Sequence, residues 1–413
     1  MRYAALPGQR AGRMTSEPTA GIRQPLWFLI ALALAVAGGA VAYVPFLTVL
    51  LPLKVNELAS SQNIEALSYI TFAGAIFASL ANIGFGWASD KWSGRRSWIA
   101  AGLLLSCFLL IAMGEAHTIV ALMVLVIAWQ LALNMMLAPL LAWAGDCVPD
   151  MQKGLLGGLF ALAPAMGALA GTFVTLPGLA DATERLWIIA ALVALLVSPA
   201  LALGGGRQLP VLMKPVVEPI PNDPESFKSR PAIIRMWTAR LLVQIAEAAL
   251  FAFLLFWLRS LSPTIGENTV ANLFSAVLCV AVPIALVAGR WSDKARRPML
   301  PLAICAALSA LGLVLMALSK DIQAAILGYA FFGLASMTFL SLHNGQTLRV
   351  LPRPQNRGRD MGIFNLTNTV PSLIIPWLTL AMVPTFGFGG LFFVLAGLVG
   401  VASLLLAQMS YRR

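Results

Sequence analysis

Apolar residues fall along the chain in long unbroken blocks separated by short polar connections. Twelve such blocks can be drawn: 27–51, 64–86, 97–115, 119–144, 155–178, 185–203, 233–258, 268–290, 298–318, 322–342, 362–384 and 388–409. A helix needs about 20 apolar residues to cross the hydrocarbon of a bilayer. Each block therefore predicts a membrane-spanning helix. Barrel strands would alternate in character and run only about ten residues, so they are excluded. The pattern predicts an all-α polytopic membrane protein with twelve transmembrane helices. The stretch before the first block is polar and carries Arg2, Arg10, Arg13 and Arg23. The first block is too long for the 7–15-residue apolar core of a signal peptide, so it reads as a retained span.

One connection is long. Residues 204–232 hold Gly204, Gly205, Gly206 and six prolines between Pro210 and Pro231, with mixed charge. This composition predicts a mobile tether. It divides the helices six and six: an N-tail over 1–26, a first bundle over 27–203, the linker over 204–232, a second bundle over 233–409 and a C-tail over 410–413.

Composition agrees with the pattern. Of 413 residues, 59% are hydrophobic and only 11% charged, against about 25% charged in a soluble domain. Such a chain cannot cover a water-facing surface. The net charge of +11 would suggest nucleic acid in a soluble protein, but here loop bias is the simpler source. With the N-terminus inside, only Lys54, Arg185, Arg259 and Lys320 of the 28 basic residues fall outside, and Arg240 falls within a span. The other 23 lie on the inner side, so both termini are expected in the cytoplasm, in an inner (plasma) membrane. Trp27, Trp98, Trp143, Trp187, Trp237, Trp257 and Trp291 lie near span ends, where amphipathic rings settle. Cys107, Cys279 and Cys305 sit in apolar runs and Cys147 in a loop, with no C-x-x-C, so they read as small packing residues.

The two halves repeat. Residues 86–96 read G-W-A-S-D-K-W-S-G-R-R, and residues 289–297 read G-R-W-S-D-K-A-R-R. Asp90 and Asp293 are 203 residues apart. Pro149, followed by Lys153 and Gly154, is again 203 residues from Pro352, followed by Arg357 and Gly358. An even number of helices per repeat keeps both copies in one orientation, a layout of secondary transporters. The Gly86–Arg96 segment resembles the loop signature of the major facilitator superfamily, G-x-x-x-D-[RK]-x-G-[RK]-[RK], with Ser93 as one extra residue. The resemblance covers the whole chain and implies two parallel six-helix repeats around a central site. Two further segments look like the sucrose-transporter-like and glycoside–pentoside–hexuronide branches. They are Asp146, Val148, Pro149, Lys153 and Gly154, and Leu351, Pro352, Arg357, Gly358, Arg359, Asp360, Gly362, Asn365, Asn368, Thr369 and Pro371.

An acid is out of place in a basic loop. A carboxylate at a helix end beside a glycine can dock on the positive N-terminus of a neighbouring helix. The resemblance implies that Asp90 docks on the eleventh span near Gly362, and symmetry implies that Asp293 docks on the fifth near Gly154. Arg95 or Arg96 is expected to pair with Asp146, and Arg297 to take the matching place in the second half. These residues form the expected cytoplasmic gate. Position 349, equivalent to Asp146, is an arginine, which predicts a weaker second gate. The bland reading of Lys91, Arg95 and Arg96 is loop bias alone.

Within the spans, ionisable residues are costly and mark function. Arg240, Gln244 and Glu247 are spaced i, i+4, i+7, on one face of the seventh span. Glu247 lies about 21 Å in from residue 233, near midplane. Desolvation there favours the neutral carboxyl and a nearby arginine the charged one, so it could load and release a proton. A static Arg240–Glu247 pair is the structural alternative. Arg240 could equally meet an anionic or hydroxyl-rich solute. Gln130 and Asn134 form an i, i+4 pair in the fourth span; Asn82 lies in the second, and Asn365, Asn368 and Thr369 in the eleventh. Amides donate and accept, which suits a polyol, but they also join helices. The familiar sugar symporters place acids in first-half helices. Their absence here argues against sodium coupling and leaves proton coupling to Glu247. The fifth span carries Gly158, Pro164, Gly167 and Gly171, a close-packing face with a kink. It partly resembles the G-P-x-x-G-G element of drug–proton antiporters, with Ala163 and Ala168 in place of glycines.

Nothing in the sequence suggests an enzyme. His117 and His343 are isolated, so no metal site is expected, and there is no P-loop, H-E-x-x-H or G-x-S-x-G. No catalytic residue, cofactor or nucleic-acid partner is expected. The leading expectation is a monomeric transporter working by alternating access on a small polar solute such as a sugar or glycoside, with protons as coupling partner. The rivals are efflux of an amphipathic compound and a non-transporting membrane factor on the same scaffold.

Overall fold

The structure is a computed structural model that describes residues 23–58, 63–92, 94–176, 178–203, 209–214, 228–265, 267–295 and 297–411. The expected N-tail up to residue 22, most of the expected tether (204–208 and 215–227) and Ser93 lie outside the described residues. Among those described there is no strand. The helices are α1, Leu26–Leu58; α2, Asn63–Lys91; α3, Arg95–Ala112; α4, Ile119–Cys147; α5, Asp150–Val174; α6, Ala182–Ala202; α7, Arg230–Leu261; α8, Glu267–Ala295; α9, Leu300–Leu318; and α10, Ile322–Val350. The stretch Arg357–Tyr411 is helical except at Gly387, whose φ of 66° and ψ of −176° turn the chain. Glycine meets no steric penalty there. The turn separates α11 (357–386) from α12 (388–411).

Local chemistry sets many of these boundaries. Thr118 caps α4 by accepting from the Ala121 N–H at 3.1 Å. Asp181 and Glu184 form a capping box at the start of α6. Ser229 caps α7, with a proline in its first turn. That cap starts the helix at Arg230, before the apolar block begins, and residues Pro210–Met213 of the connection form a short 3-10 turn. Cys147 ends α4 rather than lying in a loop. Pro164 has no N–H for the Phe160 carbonyl, and α5 breaks at Ala161 between Lys153–Phe160 and Leu162–Val174. Pro45 does not end α1: a π-helical turn over Phe46–Leu50 absorbs it, and the helix runs on past the apolar block to Leu58.

Packing follows the repeat. In the first half α1 lies against α5 and α6, α2 against α4, and α3 against α4 and α6. In the second half α7 lies against 357–411, α8 against α10, and α9 against α10 and 357–411. Trp257 of α7 meets Phe392 of α12 edge-to-face at 4.8 Å. The halves meet where α2 packs on α11 and where the first segment of α5 packs on α8 and α10.

Candidate functional site: docked carboxylates and a buried arginine

The loops after α2, α4, α8 and α10 share one end of the bundle, here termed the basic face. Asp90, at the end of α2, accepts from the backbone N–H groups of Gly358 at 2.8 Å and Arg359 at 2.9 Å, the first turn of α11. Asp293, at the end of α8, accepts from those of Gly154 at 3.0 Å and Leu155 at 2.9 Å, the first turn of α5 proper. Each carboxylate thus sits on the positive end of a helix from the other half. Glycines make this possible. A Cβ on Gly86 would strike the Gly358 carbonyl, and one on Gly289 would strike that of Gly154.

Of the two arginines considered for Asp146, Arg95 pairs with it as expected, whereas Arg297 does not take the matching place in the second half. Arg95 donates from Nη2 to Asp90 at 2.8 Å and from Nε to Asp146. Arg96, adjacent on α3 and turned away by a helical step, donates instead to the Leu201 carbonyl at the end of α6. Asp146 is buried and takes a second arginine, Arg357, from the other half. Arg297 is exposed and outside this network. Its place is taken by Arg349, which lies 3.4 Å from Asp293 and donates to the Asp150 carbonyl. The arginine that replaces an acid in the repeat therefore supplies a salt bridge instead of forfeiting one.

Deeper in the span lies Arg240 on α7, only 7% exposed. Its Nε donates to Thr367 Oγ1 at 2.9 Å, and its Nη2 to Asn368 Oδ1 at 3.3 Å, both on α11. Its Nη1 faces Asn344 Oδ1 at 2.5 Å and His343 Nδ1 at 3.4 Å, both on α10. The tautomer of His343 follows from its other contact. Nε2 lies 3.1 Å from the Met236 carbonyl, which can only accept, so Nε2 carries the proton and Nδ1 is the acceptor. All four partners of Arg240 are neutral. It makes no ion pair among the described residues, and an unpaired charge at membrane depth costs several kcal/mol.

Glu247, two turns along α7, is not the partner. Its Oε2 accepts from Ser336 Oγ of α10 at 2.6 Å, so the expected alternative of an Arg240–Glu247 pair does not form. Between them, the Gln244 Oε1 is buried with no hydrogen-bond partner. In the first half, Asn82 of α2 donates to Asn134 of α4 at 2.8 Å, and Asn134 donates to the Gln130 carbonyl at 2.9 Å. Gln130 is buried beside Gly74. On α11, Asn368 donates to Asn365 at 2.6 Å. Ser79 of α2 donates to Thr369 of α11 at 3.1 Å, a cross-half contact deep in the bundle.

A family model decides the broader question: the model of the Major Facilitator Superfamily matches residues 26–353 and 237–413. The chain belongs to the Major Facilitator Superfamily. Among curated proteins none matches it. Its fold is similar to that of major facilitators of known structure. The human organic anion transporter MFSD10 is 13% identical, with a TM-score of 0.72 over 92% of this chain and 99% of that one. The transporter FucP in its outward conformation is 14% identical, with a TM-score of 0.71 over 93% and 99%. The proton:xylose symporter XylE is 12% identical, with a TM-score of 0.66 over 93% and 95%. At these identities the likeness is one of fold. A major facilitator works in a membrane on small-molecule substrates, and this chain shares that architecture.

Sequence reasoning did not single out His343, Asn344, Ser336 or Thr367 as site residues. His343 and Asn344 are adjacent on α10, and a polar pair in an apolar span was the signal available.

Proposed function

We propose that this chain is a secondary active transporter that moves a small polar solute by alternating access, with protons coupled at Glu247. Its two bundles, 27–203 and 233–409, rock about the central polar layer of Arg240, Gln244, Glu247, Asn365 and Asn368. Gln130 and Asn134 border that layer from the first half. The observation that carries the reading is the reciprocal docking of Asp90 and Asp293 on helix N-termini of the opposite half. Such contacts close one face and can be released without unfolding either bundle. By its excess of lysine and arginine the basic face is the cytoplasmic side of an inner membrane. The state described is then closed to the cytoplasm, with both termini inside and the monomer as the working unit.

Glu247 suits proton coupling because, among the described residues, its carboxyl has Ser336 as side-chain donor and no ion pair with a cation. The structural relatives handle solutes as different as an organic anion and xylose, so fold likeness alone does not choose a sugar or glycoside. The one glycine of that element that is kept, Gly167 of α5, is occupied in packing against Val44 and the Ala40 carbonyl of α1. This supports a structural use of that element rather than an antiporter motif.

The test is reconstitution in liposomes holding a pH-sensitive dye. Sugars, glycosides and organic acids are added outside under an inward proton gradient. One class should acidify the lumen with wild-type protein and not with Glu247→Gln. Equal acidification by Glu247→Gln would remove the coupling assignment.

A further inference from the structure

We infer that Arg240 is a recognition point for an oxyanion on the solute, a carboxylate or phosphate group, so that the cargo is an organic anion. The inference rests on the transporter reading only for the ligand's being cargo. The binding site itself stands on the surroundings of Arg240.

A buried arginine kept for structure should be needed by its neighbours. Here none needs it. Thr367 already donates to the Phe364 carbonyl at 2.7 Å. His343 Nδ1 has the Thr347 hydroxyl at 3.0 Å, which donates to the His343 carbonyl at 2.9 Å and can turn to Nδ1 when the guanidinium leaves. Asn368 is exposed and bonded to Asn365, and Asn344 is only half-buried. Every acceptor around Arg240 either has another hydrogen-bonding group within reach or belongs to a residue that is not fully buried. The cation is the group left wanting: it has four neutral partners and no counter-ion among the described residues.

The geometry also gives the direction of approach. Thr367 and His343 are fully buried and hold Nε and one edge of Nη1. Asn344 and Asn368, the more accessible pair, cover the outer edge formed by Nη1 and Nη2. That edge is the forked face that binds carboxylate or phosphate through two parallel bonds. An arriving oxyanion would displace the two amide oxygens, and the freed amides would turn N–H groups toward it. His343 cannot serve as counter-charge, because its Nδ1 is a neutral acceptor and its protonation would add a second cation.

The test uses purified full-length protein in detergent at fixed ionic strength. Glucose, glucuronate and glucose 6-phosphate differ only at C6, and acetate, benzoate and inorganic phosphate supply the charged group alone. Wild type should gain about 2 °C or more in melting temperature with at least one of these anions and not with glucose. The carboxylate and phosphate members separate the two oxyanion sources. Arg240→Gln should lose that response while melting at or above the wild-type temperature without ligand. Arg240→Lys should bind about tenfold more weakly or worse, since a point charge replaces a fork. The inference is overturned if no anion stabilises wild type, if glucose does so equally, if the response survives Arg240→Gln, or if Arg240→Gln melts well below wild type. Glucose binding with proton-coupled uptake would leave the transporter reading standing without the anion. Anion binding lost in Arg240→Gln, with no uptake of any solute, would do the reverse.

Discussion

Arg240 and Glu247 stand on one face of α7, about 10 Å apart along its axis, and each is bound by a different set of residues. Arg240 is held by α10 and α11 on the side of the polar layer toward the basic face, Glu247 by Ser336 of α10 farther from it. Spacing alone would suggest a salt bridge. On the proposed coupling, its absence separates two tasks, a fixed positive charge and a carboxyl that takes up and releases the proton. Glu247→Gln should therefore abolish uphill, proton-driven uptake while leaving solute counterflow within about threefold of wild type, since counterflow needs no net proton transfer. The two assays on one liposome preparation provide the check. Loss of both together would make Glu247 a solute ligand or a structural group instead.

Asp90 holds α11 through two backbone N–H groups. Hydrogen bonds to a charged acceptor contribute about 1.5–3 kcal/mol each, so Asp90→Ala should shift the closed–open equilibrium of the basic face by about tenfold or more. Transport should slow while the melting temperature changes little. Site-resolved alkylation of an Ile83→Cys variant reports the shift directly, because Ile83 lies against Gly362. Alkylation should accelerate when Asp90 is removed.

Asp146 is the counter-charge of two arginines, Arg95 and Arg357. Removing the shared partner of buried charges typically costs about 3–5 kcal/mol. Asp146→Asn should therefore lower the melting temperature more than Arg357→Gln, which leaves Asp146 paired with Arg95. The reverse order would show that Arg95 alone does not satisfy the acid.

Asn82 and Asn134 join α2 to α4 within the first half. A double-mutant cycle with alanine at each should give a coupling of about 0.6 kcal/mol, the average for interhelical hydrogen bonds in a membrane. Solute affinity should be unchanged within error. A tenfold loss of affinity in either single variant would place these amides in the solute site.

The spans were legible because hydrocarbon demands continuous apolarity, and that demand is written residue by residue. The docking of Asp90 was legible through the resemblance to the superfamily's loop signature, and that of Asp293 through the internal repeat. The partners of those acids were harder to foresee. Arg95 and Arg96 are neighbours in sequence, and only the rotation of α3 sends one to Asp146 and the other to Leu201. Reading the repeat within each half matched Asp146 to Arg349 and overlooked Arg357, because that contact crosses between halves. The ring around Arg240 comes from residues 103 to 128 positions away on two other helices. Helical spacing on α7 carries no information about which groups those helices turn inward.

Both acids of the first-half network share Arg95, a residue of their own half, while their cross-half partners are Arg357 and two backbone amides. Asp293 likewise keeps Arg349 of its own half when it lets go of Gly154 and Leu155. If the face parts as proposed, none of these three carboxylates is stranded: each retains a resident cation of its own half. A latch of this kind, on the proposed gating, would leave its bare state already solvated or already neutralised, so that opening would cost little electrostatic energy.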